Sequence, residues 1–431
     1  MLPSDRTNQP AREVLATLGV VFFALVVSGC SAALSSTPDS AQDTPAEQSV
    51  GTPDTLGAFG FPDIDGAPTD SLSAMESANP LSEVVSQWTL REKVASLFLV
   101  HVPGTELATH QRIVEAEPIA GFLLLGNNIP GDVDASQDLV SSMRTLGEPD
   151  LLIAVDQEGG AVSRLQPDEF PSAAQLAEAD PRDTTEATRE RNTLVFDVGA
   201  NVNLGVVADI SPGEEAFIHE RAFGTDVDTV TPRVAAALDG SIPGVAVAVK
   251  HFPGHGLTFE DTHETLGVGQ TGFEQWRDSH ATPFRVAIDQ GVQMLMLGHL
   301  VLEEVDDQPA SLSQRWVELL RDQWGYQGVI VTDDLSMLED SGDPRFDDPA
   351  QNAVFALAAG ADLIIDSGGL TANRALDRLS ASIDAVVAAV ESGEISETAI
   401  DEAAVRVLSL RDSLGSVARP VQDAESGEFD G

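Results

Sequence analysis

Short apolar runs recur through the middle of this chain, and between most of them the apolar positions fall at helical spacing. The runs are Leu97 to Val102, Gly121 to Leu125, Leu151 to Val155, Leu204 to Val207, Val245 to Val249, Val292 to Leu297, Gly328 to Val331 and Asp362 to Ile365. Several are built from small and β-branched residues with no polar alternation, as in Val245-Ala246-Val247-Ala248-Val249, the composition of a strand covered on both faces. Helical patterns occupy Gln314 to Trp324, Asn352 to Ala359 and Arg374 to Val390, and Ser396 can cap a last helix through Arg411. Strands alternating with helices imply a parallel sheet. Eight repeats predict a closed (β/α)8 barrel, with an open doubly wound sheet as the alternative that periodicity leaves standing. Thr89-Leu90-Arg91-Glu92 has the spacing of a capping box ahead of Val94, Leu97 and Phe98, which sets the start of the folded domain near Leu81.

The two ends lack this pattern. Arg6 and Arg12 precede an apolar stretch, Val14 to Val27, which leads into Val27-Ser28-Gly29-Cys30. A membrane span needs about 20 apolar residues, so this stretch reads as an export signal. Its last residues are similar to the lipobox of bacterial lipoproteins, with an ordinary secretory signal and an incidental cysteine as the other reading. Cys30 is the only cysteine, so no intramolecular disulfide can form and lipidation gives the residue a purpose. Residues 1–30 are therefore expected to be a lipoprotein signal peptide, and residues 31–79, rich in Ser, Thr, Pro, Asp and Gly, a disordered linker. The barrel is expected over residues 80–416, followed by an acidic disordered tail over 417–431. Localisation follows as extracytoplasmic, at a cell membrane held by the lipid.

Charge narrows the partners. Seventy acidic residues against 23 basic ones give a net charge of −47, a field that repels nucleic acid. An acidic surface of this kind suits high-salt or acid-tolerant surroundings, with melting temperature against salt as the direct reading. Lysine is nearly absent: Lys93 and Lys250 are the only two.

One of those two stands where a strand pattern gives way to imidazoles, in Lys250-His251-Phe252-Pro253-Gly254-His255-Gly256, with Asp261-Thr262-His263 just beyond. Barrel enzymes gather their chemistry at the C-terminal ends of the strands. Asp156-Gln157-Glu158 follows Val155, His299 follows Leu297 by one residue, and Asp333-Asp334 follows Val331-Thr332. Helix capping would account for one or two of these carboxylates, with Asp334 open between a cap and a substrate role, but not for the lysine and histidines. The cluster His251, His255, Asp261 and His263 also has the composition of a divalent metal site, and a metal-dependent hydrolase is a second reading.

The segment from Lys250 to Gly256 together with Asp261-Thr262-His263 resembles the signature of family 3 glycoside hydrolases in their β-N-acetylglucosaminidase branch, matching it at all ten positions. Further motifs extend the resemblance over roughly residues 81 to 413. It favours the barrel over the open sheet and implies a β-N-acetylhexosaminidase that releases terminal N-acetylglucosamine with retention of configuration and without a metal or other cofactor. By the same resemblance Asp333, in Gly328-Val329-Ile330-Val331-Thr332-Asp333-Asp334, is the nucleophile and His263 the acid/base, paired with Asp261. A histidine suits that work because its ordinary pKa near 6.5 lets it give and take a proton. Asp156, Arg164, Arg221, Lys250 and His251 are the implied substrate-binding residues. The sequence departs from the family pattern at Ala161 and at Gly126-Asn127-Asn128, positions that bear on the neighbouring-sugar preference. Many family members carry a second α/β domain after the barrel, which is not expected here. Another family 3 β-glycosidase, an N-acetylglucosaminide phosphorylase and a non-catalytic sugar-binding lipoprotein are the remaining alternatives.

The lipid anchor has a direct test. Cys30→Ser should move the protein from the membrane fraction to the soluble one; a variant that stays with the membrane would show that something else holds it there.

Overall fold

The computed structural model describes residues 80–415, so Cys30, the expected signal peptide and linker, and the acidic tail lie outside the described residues. Eight parallel strands close into a barrel in sequential order: β1 (Phe98–Val100), β2 (Gly121–Leu124), β3 (Leu152–Val155), β4 (Val202–Val207), β5 (Ala246–Phe252), β6 (Met294–Leu297), β7 (Val329–Asp334) and β8 (Leu363–Asp366). All eight apolar runs are strands. Closure is made by β1 pairing with β8, with Phe98 opposite Ile364. At Gly121 the β2–β3 pairing is so close that a β-carbon would fall 1.8 Å from the Leu152 carbonyl oxygen, which is why the run begins with glycine.

The helices lie where the pattern put them. The capping box at Thr89 forms, with both reciprocal bonds between Thr89 and Glu92 made, and the first described helix, Pro80–Ser86, matches the expected domain start. Pro349–Ala359, Ala372–Ser392 and Glu397–Gly415 cover the other expected helices with their ends shifted by a few residues. One differs in kind. Gln314–Glu318 is α-helical, but Leu319–Gln323 widens to π spacing, with the Trp324 N–H donating to the Leu319 carbonyl at 3.0 Å. Trp324 there lies parallel to Trp276, their centroids 6.0 Å apart.

Two features position the loops at the C-terminal end of the barrel. The Phe252 ring meets Trp276, Phe284 and Trp316 edge to face at centroid distances of 5.9, 5.3 and 5.3 Å, and the Trp276 indole N–H donates to the Pro253 carbonyl at 2.8 Å. This buried aromatic group pins the point where β5 ends and its loop begins. Further along, Gly267–Val268 pairs with Leu300–Val301, tying the loop after β5 to the loop after β6.

Candidate active site

β5 does not stop at Val249. It continues through Phe252, with Lys250 opposite Val207 of β4 and Phe252 opposite Leu297 of β6, so Lys250 and His251 are strand residues rather than the first residues of a loop. That places the Lys250 ammonium inside the mouth of the barrel, where the residue is only 2% exposed. A cation so far from water needs carboxylates. Asp156 and Glu158 supply them from the segment after β3, with Nζ 2.7 Å from Asp156 Oδ1 and 2.6 Å from Glu158 Oε1. Asp156 and Glu158 are two residues apart in extended chain, and the spacing sends both side chains to the same side.

Glu158 is shared. Its two oxygens accept Arg221 Nε at 2.9 Å and Arg221 Nη2 at 2.8 Å, a forked pairing that fixes the guanidinium plane. The same Nη2 stands 3.2 Å from His251 Nε2. Because a guanidinium only donates, His251 Nε2 must be the bare nitrogen and Nδ1 the protonated one. Nδ1 in turn donates to Asp209 Oδ2 at 2.7 Å, just beyond the end of β4. Asp209 also accepts the backbone N–H groups of His251 and of His255, the latter at 2.6 Å.

Asp333, near the end of β7, is partly exposed at the mouth, with Oδ1 accepting the Asp334 N–H at 2.9 Å. Its neighbour has a different task. Asp334 accepts the N–H groups of Ser336 and Ser367, both at 3.0 Å, and the Ser367 hydroxyl, so it serves the turn and not the opening. His299, buried after β6, donates Nε2–H to the Asp334 carbonyl at 2.9 Å while its Nδ1 accepts from Ser311 Oγ at 2.7 Å. Asp261 and His263 meet on the loop after β5, Nδ1 to Oδ1 at 2.7 Å, with side chains 32% and 55% exposed. Phe217 links that loop to the buried network. Its ring lies 5.4 Å from the His263 ring and 5.4 Å from the Arg221 guanidinium carbon.

The electrostatics divide these groups. Burial alone would raise the Asp333 carboxyl, but the imidazoles of His251 and His299, the Lys250 ammonium and the Asp334 N–H outweigh it and hold it far below the usual carboxylate range. Burial is likewise overcome at Glu158 by Lys250 and Arg221, bringing it down to about 2. At Asp209 the same opposition, with His251 and His255 as the partners, leaves a carboxyl lowered in pKa and therefore ionised. Burial works against the Lys250 ammonium, and Asp156 and Glu158 overcome it and raise its pKa. The barrel thus presents an ionised carboxylate, Asp333, beside a fixed lattice of donors, with an imidazole on a more exposed loop above.

Of the residues expected from sequence, Asp156, Arg221, Lys250 and His251 come together with Asp333, and Asp261 and His263 pair as anticipated. Arg164 stands apart. It makes no ion pair with Asp156, whose carboxylate is taken by Lys250, and it lies exposed along a cavity of about 340 Å³ with Ile129, Pro130 and Asp132. The metal reading loses its geometry, because both nitrogens of His251 are committed and a guanidinium faces one of them. Among the described residues no group of three or more His, Cys, Asp or Glu is gathered to hold a metal. Asp209 and Phe217 were not anticipated, and Glu158 was noted at a strand end without a role. Asp209 follows β4 as Asp156 follows β3, and the strand-end rule applied to Val207-Ala208-Asp209 would have found it.

The lowered Glu158 carboxyl predicts an acid limb in stability. A group brought from 4.5 to about 2 by folding adds stability that is fully present above about pH 4.5 and is lost as pH falls toward 2. Denaturant unfolding of the wild type should weaken through that window, and Glu158→Gln should flatten the slope there while lowering stability near neutral pH by about 3 kcal/mol through the exposed deficit at Lys250 and Arg221. An unchanged slope in the variant would mean that the lattice does not hold Glu158 ionised.

The geometry has counterparts among known proteins. The family model "Glycosyl hydrolase family 3 N terminal domain" matches residues 89–410. A β-hexosaminidase of Methylobacillus flagellatus is 32% identical over 282 residues, 62% of this chain and 79% of that protein. Among solved structures, a family 3 β-N-acetylglucosaminidase from a Paenibacillus species superposes with a TM-score of 0.72 at 31% identity, covering 80% of this chain and 66% of the other. A β-N-acetylhexosaminidase from Beutenbergia cavernae gives 0.66 at 30% identity, covering 75% and 99%. The chain therefore spans about two thirds of the Paenibacillus protein and nearly all of the Beutenbergia one. With a matched model over most of its length and a barrel whose strand ends carry the signature residues, this chain belongs to glycosyl hydrolase family 3.

Proposed function

We propose that this protein is a retaining β-N-acetylhexosaminidase that releases terminal non-reducing N-acetylglucosamine from glycans such as peptidoglycan fragments or chitooligosaccharides. The observation that carries the reading is the presence of both an ionised Asp333 at the end of β7 and an Asp261–His263 dyad on the loop after β5. In the first step Asp333 attacks the anomeric carbon and forms a glycosyl ester while His263 gives its proton to the departing glycosidic oxygen. Asp261 holds Nδ1, so the proton that moves is the one on Nε2. Water then attacks the ester, His263 takes a proton from it, and the sugar leaves with its configuration retained. Asp156, Arg221, Lys250 and His251 hold the sugar hydroxyls and acetamido group by directional, charge-assisted bonds. The names of the relatives support the sugar class. We also propose that the enzyme acts outside the cytoplasm, anchored through Cys30.

Turnover of a chromogenic N-acetylglucosaminide tests the reading. Asp333→Ala should abolish it with the fold intact, since a carboxylate at a strand end contributes little to core packing. A fluorinated glycoside that traps the ester should label the peptide containing Asp333, and label found only elsewhere would overturn the assignment.

His263→Ala should cripple cleavage of substrates with poor leaving groups and affect the first step for activated aryl glycosides much less, since those depart without a proton. The gap should be on the order of 10² to 10⁴ in rate. Equal losses on both substrates, together with lost binding of an unreactive N-acetylglucosamine analogue, would make His263 an organiser of the loop and not a proton donor.

A further inference from the structure

The acid/base dyad sits on an exposed loop, and an exposed carboxylate–imidazole pair is worth about 1 kcal/mol or less, too little to fix a catalytic group by itself. Something else must set its position. The middle residue is the exception within the triplet: Asp261 and His263 face outward, while Thr262 is only 3% exposed. Its hydroxyl lies 3.0 Å from Nε2 of His255, which is 2% exposed.

His255 is itself fixed from below. Its backbone N–H donates to Asp209 at 2.6 Å. The next residue, Gly256, is pressed so close to the Ile210 carbonyl that a β-carbon would come within 1.6 Å of the oxygen. The His255 ring packs edge to face against His251 at 5.6 Å and tilted against Phe217 at 5.5 Å. Its Nδ1 is buried with no protein partner. An idle lone pair there costs less than an orphaned N–H, so Nε2 carries the hydrogen and donates to Thr262. Burial, aided by the neighbouring His251, pushes the imidazole down to about 4, so His255 stays neutral where the enzyme works and does not compete with His263 for the proton.

We propose that Asp209, His255 and Thr262 form a strut that holds the Asp261–His263 dyad over the sugar site, which makes His255 and Thr262 positioning residues. The inference rests on the reading of His263 as the proton donor. Its consequence is that the sugar-binding His251 and the acid/base loop hang from one carboxylate, Asp209, so the donor is registered against the bound sugar through a buried chain of three hydrogen bonds.

His255 is buried and its replacement can disturb folding, so the test is made at Thr262. Thr262→Val keeps the shape and removes the hydroxyl; Thr262→Ser restores it. Values of kcat/KM are measured on an N-acetylglucosaminide with a poor leaving group and on an activated aryl one. Thr262→Val should lose about ten- to a hundredfold on the first substrate, the scale of a small misplacement of a catalytic group, with the second nearly unchanged. Thr262→Ser should recover most of that loss. In a His263→Ala background Thr262→Val should cost nothing further, because a strut has no use once the donor is gone. Equal losses on both substrates, an additive loss in the double variant, or no loss at all would overturn the strut. If His263→Ala alone shows the leaving-group gap and Thr262→Val does not, the strut fails and the proton donor stands; if His263→Ala shows no gap, the donor fails first and the strut with it.

Discussion

Everything at the mouth of this barrel follows from having withdrawn a lysine ammonium from water. Lys250 cannot sit on a strand facing the barrel mouth unless carboxylates meet it there, and Asp156 and Glu158 do so within 2.7 Å. Glu158 then needs a second cation for its remaining lone pairs and finds Arg221, whose spare N–H sets the tautomer of His251. Asp209 completes the chain on the far side of that imidazole. Each group is justified by the one before it, so the lattice has one arrangement rather than several of similar energy. The carboxylates Asp156, Glu158, Asp209 and Asp333 outnumber the permanent cations Lys250 and Arg221. That leaves the site with a negative excess, which under the proposed mechanism would favour the positive charge that grows on an oxocarbenium-like sugar.

The strands were legible because a parallel barrel strand is covered on both faces and must be apolar along its length, a signal that needs no partner to be read. The signature loop was legible for a similar reason, since rare residue types were crowded into a few positions. What the sequence withheld were pairings. Asp209 reaches His251 across 42 residues and Glu158 reaches Arg221 across 63, and nothing local announces either. The end of β5 was misplaced because Lys250 and His251 look like the polar start of a loop. They belong to the strand, since Lys250 pairs with Val207 of β4, Phe252 beyond them pairs with Leu297 of β6, and their polar atoms are satisfied inside the mouth. Asp334 was left open between cap and ligand, and it caps no helix: Leu335 holds the N-cap position, and three bonds from Ser336 and Ser367 take up the Asp334 carboxylate.

The two halves of the proposed catalytic apparatus are built to different standards. Asp333, Lys250 and His251 stand on strands, where pairing with neighbouring strands fixes the backbone. The Asp261–His263 dyad stands on a loop, exposed, with only its middle residue turned inward. This asymmetry suits the chemistry. A nucleophile must meet one carbon at one distance, whereas an acid/base must approach a departing oxygen, withdraw while the leaving group escapes, and return with a water in its place. A donor locked as firmly as Asp333 would obstruct that exchange, and one held only by a surface ion pair would seldom be in register. Under the proposed strut, the buried hydrogen bond between His255 and Thr262 adds to the Asp261–His263 contact and to the packing of Phe217 against the His263 ring, so the loop is held by several small contributions rather than by one rigid anchor.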